Sequence, residues 1–133
     1  MAIEDTIGVA RRAYEAYAAM DVAAIDSLMT DDHVLHVAGR HPLSGDYRGK
    51  QAVWEYLGRV TAISGGRGGF DVHAITADEN GHAVALLTGT IRDFVRPVIH
   101  VWHVRGGQLA EMWDASLDQY AEDAFWSKAT PGS

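Results

Sequence analysis

The second half of the chain reads as four strand segments in a row, and this pattern constrains the fold more than any other feature. The segments are rich in β-branched residues and cover 70–78, 82–94, 97–104 and 108–117. Short connections that contain glycine, ENG and RGG, follow the first and third segments and are typical of hairpins. We therefore expect these four strands to pair antiparallel in one sheet.

Helical patterns occupy the first half of the chain. Apolar side chains recur every three or four residues in the opening segment, at Ile3, Ile7, Ala10, Tyr14 and Tyr17. This spacing predicts a first helix from about Asp5 to Met20. Asp21 is placed to cap a short second helix that ends at the polar residues 30–32, and residues 50–63 form a third helical pattern.

The remaining segments are shorter. Residues 33–38 read as a brief strand, and the Gly- and Pro-containing residues 39–49 read as a loop. Residues 64–69 hold four glycines and predict a flexible turn, since they lack the strand-to-helix setting of a phosphate-binding loop. After residue 117 we expect a helical turn with a frayed tail over 127–133.

Helical segments followed by antiparallel strands, without a repeating βαβ pattern, predict an α+β fold with the helices on one face of the sheet. The chain has 133 residues, of which 47% are hydrophobic, and this suits a single domain over 1–133.

Charge and composition bound the partners. Eighteen acidic residues against 11 basic ones give a net charge of -7, which disfavours nucleic acid and anionic membranes as partners. Cysteine is absent, so disulfides and thiolate chemistry are excluded. The opening residues lack the apolar core of a signal peptide, and no apolar run is long enough to cross a bilayer. We expect a cytoplasmic protein.

The stretch RPVIHVWHV places two histidines in a strand. Successive side chains on a strand point to opposite faces, so His100 and Trp102 share a face while His103 lies behind them. These two histidines are therefore not neighbouring ligands of one metal ion, and the other histidines are scattered over separate elements. We expect no metal and no other cofactor.

Asp114 occupies an otherwise apolar segment of the last strand. If the strand alternates regularly, Met112, Asp114 and Ser116 share one face. The alternatives for Asp114 are a solvated carboxylate at a sheet edge and a functional carboxylate in a pocket. For His100 the alternatives are a core histidine that is hydrogen-bonded to the backbone and a functional one.

Three stretches carry a family resemblance that spans nearly the whole chain: AYEAYAAMDVAAIDSLMTDD, PLSGDYRGKQAVWEYL and VIHVWHVRGGQLAEMWD. They resemble the SnoaL-like branch of the nuclear transport factor 2 superfamily, which includes polyketide cyclases and ketosteroid isomerases. The resemblance implies a cone-shaped, strongly bent, mostly antiparallel sheet with three N-terminal helices packed on its concave face. It also implies a pocket for a small apolar ligand inside the cone.

The resemblance implies roles for single residues. His100 falls where the isomerases have an acid that donates a hydrogen bond to the substrate oxyanion. Their general base falls at Val37, with His36 beside it. Their helix tyrosine falls at Ala13, with Tyr17 as the nearest hydroxyl.

Asp114 falls where the cyclases and the limonene epoxide hydrolases have an aspartate in the pocket. The epoxide hydrolases also need an arginine and a second aspartate on the preceding strand, and the candidates are Arg92 and Asp93. As neighbours these two point to opposite faces unless a bulge intervenes.

The resulting hypothesis is a protein that binds an apolar or polycyclic, carbonyl-bearing ligand and acts as a cyclase or isomerase. In it, Asp114 abstracts a proton next to a carbonyl and His100 holds the enolate oxygen. The ligand contacts would be Tyr17, His36, Val37, Tyr56, Trp102, Met112 and Ser116. The alternatives are a non-catalytic ligand-binding or assembly module and an epoxide hydrolase. Because both faces of the His100 strand are apolar, we expect a homodimer through the outer sheet face.

Overall fold

A computed structural model describes residues 2–131 of the chain. Within these residues the elements follow one another as α1 (Ile3–Ala18), α2 (Val22–Leu28), β1 (Met29–Val37), β2 (Gly45–Arg48), α3 (Lys50–Ser64), β3 (Gly68–Ala77), β4 (His82–Ile91), β5 (Phe94–Arg105), β6 (Gln108–Ser116) and α4 (Gln119–Ala129). The predicted α+β class is confirmed.

The six strands form one mixed sheet in the order β2-β1-β6-β5-β4-β3. The strands from β3 to β6 pair antiparallel with their chain neighbours, as the hairpin pattern predicts. The first strand, β1, lies parallel to β6, with Val37 opposite Asp114. This pairing places the first strand of the chain beside the last one and extends the sheet on one side of the cone.

Helices α1 and α3 cover the inner face of the sheet. The buried stripe of α1 includes Val9, Ala10 and Ala13, and α3 contributes Val53 and Tyr56 to the same core. Apolar side chains at helical spacing bury one stripe and leave the other face to solvent. The short helix α2 packs on α1 and begins as predicted, since the Asp21 carboxylate accepts a hydrogen bond from the Ala24 amide at 3.1 Å.

The structure corrects two boundaries of the first half. The polar residues 30–32 do not end α2 but belong to β1, which is irregular between Met29 and Val34 and turns Asp31 and Asp32 toward solvent. The predicted loop over 39–49 contains β2, which pairs antiparallel with β1. Gly- and Pro-rich composition indicated a loop, but the pairing with a neighbouring strand outweighed it.

Two further corrections concern the second half. The predicted strand over 82–94 is interrupted at Arg92, where φ is 56°, so residues 92–93 form the turn between β4 and β5. The predicted helical turn near the C-terminus is a longer helix, α4, capped by the Asp118 carboxylate. Residues 127–129 of the predicted frayed tail are helical, because Trp126 is buried against the core; residues 132–133 lie outside the described part.

Candidate functional site

A cavity of about 270 Å³ lies between the inner face of the sheet and helices α1 and α3. Its walls are mainly aliphatic and aromatic, with a few polar groups, as in small-molecule sites generally. The charged or titratable side chains at its wall, apart from tyrosines, are His33, Arg96, His100 and Asp114.

The alternation of β5 and β6 brings two polar side chains, His100 and Asp114, to one wall of this cavity. Val98, His100 and Trp102 point into it from β5, as the sequence pattern predicted, and Asp114 lies opposite His100 on β6. The His100 Nε2 and Asp114 Oδ1 atoms are 3.6 Å apart, and the two side chains are 15% and 12% exposed. The two predicted reacting groups therefore share one cavity.

A hydrogen-bond chain behind His100 sets the position of its protons. The Trp102 indole N–H donates to the Tyr14 oxygen at 2.8 Å, and that hydroxyl lies 2.9 Å from His100 Nδ1. An indole can only donate, so the Tyr14 oxygen accepts from Trp102, and the Tyr14 hydroxyl proton is left for donation to His100 Nδ1. This direction is favoured because it leaves the imidazole proton on the nitrogen that faces the carboxylate of Asp114. Nδ1 is then the acceptor, and the neutral imidazole carries its proton on Nε2, which faces Asp114.

Burial lowers the pKa of His100 because water no longer solvates the charged imidazolium, although the charge of Asp114 acts in the opposite direction. Neutral His100 is thus the dominant form near neutral pH. A neutral imidazole can donate one hydrogen bond to a group in the cavity without adding a charge to it.

A second chain of contacts leads from Asp114 to the C-terminal helix. Arg96 Nε donates to both carboxylate oxygens of Glu122, at 2.8 and 3.1 Å, and the Trp126 indole donates to Glu122 at 3.0 Å. Arg96 Nη2 is 3.8 Å from Asp114 Oδ1, which is longer than a hydrogen bond. Burial opposes the charge of Arg96, but Glu122 and Asp114 together raise its pKa above the ordinary value.

The Asp114 carboxylate is held loosely by comparison. Within residues 2–131, its side-chain contacts with charged groups are the two long ones, 3.6 Å to His100 and 3.8 Å to Arg96. Both exceed the range of a normal hydrogen bond. Its oxygens are therefore available to a ligand in the cavity.

The tyrosines of the cavity remain protonated. Burial raises the pKa of Tyr17 to about 12, and it raises the pKa of Tyr14 and Tyr56 further. A phenol that cannot ionise serves as a hydrogen-bond partner or a wall. These side chains therefore do not supply a base.

Most of the predicted ligand contacts lie in the cavity wall, namely Tyr17, Tyr56, Trp102 and Met112. Three do not line it: His36, Val37 and Ser116. Neighbouring residues of a strand point to opposite faces, and Leu35 points inward. The ring of His36 therefore lies on the outer face of the sheet. Val37 and Ser116 border a smaller cleft behind Arg96, where the Ser116 hydroxyl donates to the Pro97 carbonyl at 3.1 Å.

His36 belongs to a cluster of its own. Its Nδ1–H donates to Asp46 Oδ1 at 2.6 Å and its Nε2–H donates to Glu111 Oε2 at 2.5 Å, while its ring stacks on Trp113. Burial alone would lower the pKa of His36, but the bonds to Glu111 and Asp46 outweigh it and raise the pKa. Carboxylates at both ring nitrogens therefore favour the charged form of this imidazole on the outer surface.

The epoxide hydrolase arrangement does not form from the predicted residues. Arg92 and Asp93 lie in the exposed turn between β4 and β5 and do not line the cavity, and Asp93 pairs with Arg67 at 3.6 Å. Across residues 2–131 no group of three or more His, Asp or Glu side chains is arranged to hold a metal ion.

Four residues at or beside the cavity were not predicted as site residues from the sequence: Tyr14, His33, Arg96 and Glu122. Tyr14 was assigned to the helix core, and the isomerase tyrosine was matched to its neighbour Ala13. Arg96 could have been found, since extending the alternation of β5 by two residues from Val98 places it on the same face. Glu122 offered no local signal, because its partner lies 26 residues away.

Comparison with known proteins confirms the resemblance. Residues 10–112 match the model of the SnoaL-like domain, and because this match covers more than half of the chain, the protein belongs to the SnoaL-like family. An uncharacterized protein of Mycobacterium tuberculosis is 24% identical over 127 residues, which cover 91% of this chain and 95% of that protein.

Solved structures show the same fold. Bal32a, from a soil-derived mobile gene cassette, superposes with a TM-score of 0.88 at 22% identity, covering 93% of this chain and 98% of its own. TerC, co-crystallized with polyporic acid, superposes with a TM-score of 0.78 at 18% identity and the same coverages. In the described part of the chain, no helix has the length and apolar character needed to cross a bilayer.

Proposed function

We propose that the protein binds an apolar, carbonyl-bearing molecule in the cavity and transfers a proton at the carbon next to the carbonyl. The observation that carries this proposal is the loosely held Asp114 carboxylate, 3.6 Å from a neutral imidazole in a mainly apolar cavity. The co-crystallization of the structural relative TerC with polyporic acid supports small-molecule binding by this fold.

In this mechanism Asp114 is the general base. One of its oxygens takes the proton from the α-carbon, and the electron pair of that C–H bond moves into an enolate. The proton can then return to the same carbon, or the enolate carbon can attack a second carbonyl of the ligand. The contacts of Asp114 with His100 and Arg96 are both longer than a hydrogen bond, so a lone pair is free to take the proton.

His100 is the electrophilic partner. Its Nε2–H lies beside Asp114, so one ligand can present its α-carbon to the carboxylate and its carbonyl oxygen to the imidazole. The oxygen gains charge as the proton leaves, and a fixed donor stabilises that charge more in the transition state than in the ground state. Tyr14 and Trp102 act as positioning residues, since they fix the ring and its tautomer.

Glu122 positions Arg96. It occupies Nε of the guanidinium, and this keeps Arg96 at 3.8 Å from Asp114 rather than in a close ion pair. The positive charge thus remains near the site without consuming the lone pairs that Asp114 needs as a base.

The test is deuterium incorporation at the α-carbon of 1-tetralone in D₂O, followed by proton NMR. We expect wild-type protein to accelerate the exchange, Asp114→Asn to lose about 10²–10⁴-fold and His100→Ala to lose about 10²-fold. Asp93→Asn, a matched change in the exposed turn, should keep the wild-type rate. If Asp114→Asn and His100→Ala both retained the full rate, the catalytic pair would be discarded.

Non-catalytic ligand binding is the second candidate. It is favoured by the proximity of Asp114 to two possible partners, Arg96 and His100, which suits a carboxylate that only orients a ligand. Saturable binding of 1-tetralone and other carbonyl and epoxide compounds without any turnover, over a range of pH, would favour this candidate over catalysis.

We also propose a homodimer through the outer sheet face. Val84, Val101 and Trp113 lie in one row across β4, β5 and β6, and Val84 and Trp113 are each 37% exposed. Leu86, on the same face, is 41% exposed. A contiguous apolar patch of this kind is typical of an interface. Light scattering should give a dimeric mass for the wild type and a monomeric mass for Leu86→Glu.

A further inference from the structure

The cavity contains a second histidine that the proposed mechanism does not use. His33 lies on β1, is 2% exposed and lines the cavity. Its backbone is fixed, because its carbonyl accepts a hydrogen bond from the Gly49 amide at 2.7 Å. A buried polar side chain of this kind normally has partners for both of its ring nitrogens.

One nitrogen of His33 is satisfied and the other is not. The Nδ1 atom lies 2.8 Å from the Leu109 carbonyl oxygen, which can only accept, so Nδ1 carries the proton. No protein partner of Nε2 occurs within residues 2–131. Burial lowers the pKa of His33, despite the opposing hydrogen bond to Leu109, and the ring is therefore neutral. Nε2 then presents a lone pair, which makes it a hydrogen-bond acceptor.

The position of His33 separates it from the Asp114 and His100 pair. Val37 lies beside Asp114 and Leu35 beside Met112, so His33 is four residues further along β1, about 13 Å at 3.3 Å per residue. The intervening wall, formed by Leu35 and Met112, is apolar. The inner surface therefore has a polar group at each of two separated points with an apolar stretch between them.

His33 also marks the inner end of the cavity. The lining residues Thr61, Gly68 and Thr90 are exposed, whereas Val53, near His33, is 2% exposed. Thr61 and Val53 are eight residues apart on α3, which is about 12 Å along the helix axis. The cavity therefore opens beside Thr61, Gly68 and Thr90, and a ligand that entered there would reach His33 with its leading end.

We infer that His33 Nε2 accepts a hydrogen bond from a hydroxyl or N–H group at the leading end of the ligand. This inference rests on the proposed function and specifies its substrate class: an apolar ring compound whose hydroxyl lies at the far end from its enolisable carbonyl. His33 and the Asp114 and His100 pair are about 13 Å apart along β1. A ligand that makes one hydrogen bond of about 3 Å at each end must therefore measure about 7 Å between its two polar atoms. That span fits a two-ring compound.

The test compares three ketones that differ at one position: 1-tetralone, 6-hydroxy-1-tetralone and 6-methoxy-1-tetralone. We expect wild-type protein to bind the hydroxy compound about fivefold to tenfold more tightly than the methoxy compound, because only the former can donate to Nε2. Calorimetry measures both dissociation constants. In His33→Asn that ratio should fall to about one.

His33→Asn is the informative variant because an asparagine amide can still donate to the Leu109 carbonyl while the acceptor at Nε2 is lost. A second measurement avoids any variant: the ¹⁵N resonance of His33 Nε2 in the wild-type protein. It should shift when the hydroxy compound is added and stay in place with the methoxy compound.

The outcomes separate the two proposals. Equal affinity for the hydroxy and methoxy compounds, or an unmoved ¹⁵N resonance in the presence of bound hydroxy compound, would overturn the role of His33 and leave the Asp114 mechanism intact. Failure of all three ketones to bind would overturn both, since the inference rests on the proposed function.

Discussion

Each face of β6 presents a carboxylate to a histidine of a neighbouring strand, and the two pairs differ in how closely they are bonded. On the outer face Glu111 accepts a 2.5 Å bond from His36, whose other nitrogen is bound to Asp46. On the inner face Asp114 lies 3.6 Å from His100 Nε2, and the other ring nitrogen of His100 is hydrogen-bonded to Tyr14.

The difference between the two pairs follows from the number of carboxylates around each histidine and from the access of water to its ring. Two carboxylates around His36 favour its charged form, and each of its ring nitrogens has a close carboxylate partner. His100 is buried and has a tyrosine as its close partner, so it stays neutral and leaves Asp114 loosely held. Residue identity alone therefore does not distinguish a closely bonded pair from a loosely held one, whereas burial and partner count do.

The largest expected effect on stability comes from removing the charge of Glu122, which binds Arg96 beside the Asp114 and His100 pair. Glu122→Gln leaves the buried guanidinium of Arg96 without its close partner, which should lower the free energy of unfolding by about 3–5 kcal/mol. Urea denaturation measures this change. The exposed Glu79→Gln should leave stability unchanged, and a Glu122→Gln protein as stable as wild type would show that the ion pair is dispensable.

Tyr14→Phe tests the tautomer of His100. The change removes one hydroxyl and leaves the Trp102 indole and His100 Nδ1 without their partner, so we expect a loss of about 1–3 kcal/mol in stability. Exchange of 1-tetralone protons should slow by about tenfold, since the imidazole is no longer held. Tyr120→Phe, at a 92% exposed position, is the control. An unaltered rate would remove Tyr14 from the mechanism.

The smallest expected effect is the pH dependence of stability above neutral pH. The pKa of His36 is raised in the folded state, so the folded protein binds a proton that the unfolded chain releases above about 6.5. Stability from this group is full below that pH and is lost as the pH rises through the folded pKa, by less than about 1 kcal/mol. Thermal melts should show this loss in wild type and in His73→Gln, but not in His36→Gln.

The inner histidines predict the opposite trend on the acid side. The pKa values of His33 and His100 are lowered by burial, so below about 6.5 the unfolded chain binds protons that the folded protein does not. Stability should therefore fall as the pH decreases below that value. A flat profile between pH 5 and pH 6.5 in wild-type protein would contradict the neutral state assigned to these two rings.

Much of the inner face could be predicted from the sequence, because strand alternation is a local rule. It placed His100 with Trp102 and against Asp114 once the hairpin between β5 and β6 was recognised. The same rule reaches Arg96, although the prediction stopped at Val98. Local periodicity therefore predicts which residues of a hairpin share a face.

The remainder depended on contacts that no local rule contains. Alternation puts His33 and His36 on opposite faces of β1, but the parallel pairing of β1 with β6, which no local pattern predicts, decides that His33 faces the cavity. The partner of Arg96, Glu122, comes from α4, whose docking depends on the burial of Trp126. Such partners follow from the packing of the whole chain.

The most direct test of the central claim is a crossed comparison of Asp114→Asn and Glu111→Gln, two isosteric changes on the two faces of β6. We expect Asp114→Asn to slow α-proton exchange of 1-tetralone in D₂O by about 10²–10⁴-fold, while Glu111→Gln keeps the wild-type rate and loses only a little stability. Wild-type exchange in Asp114→Asn, or equal loss in both variants, would contradict that claim.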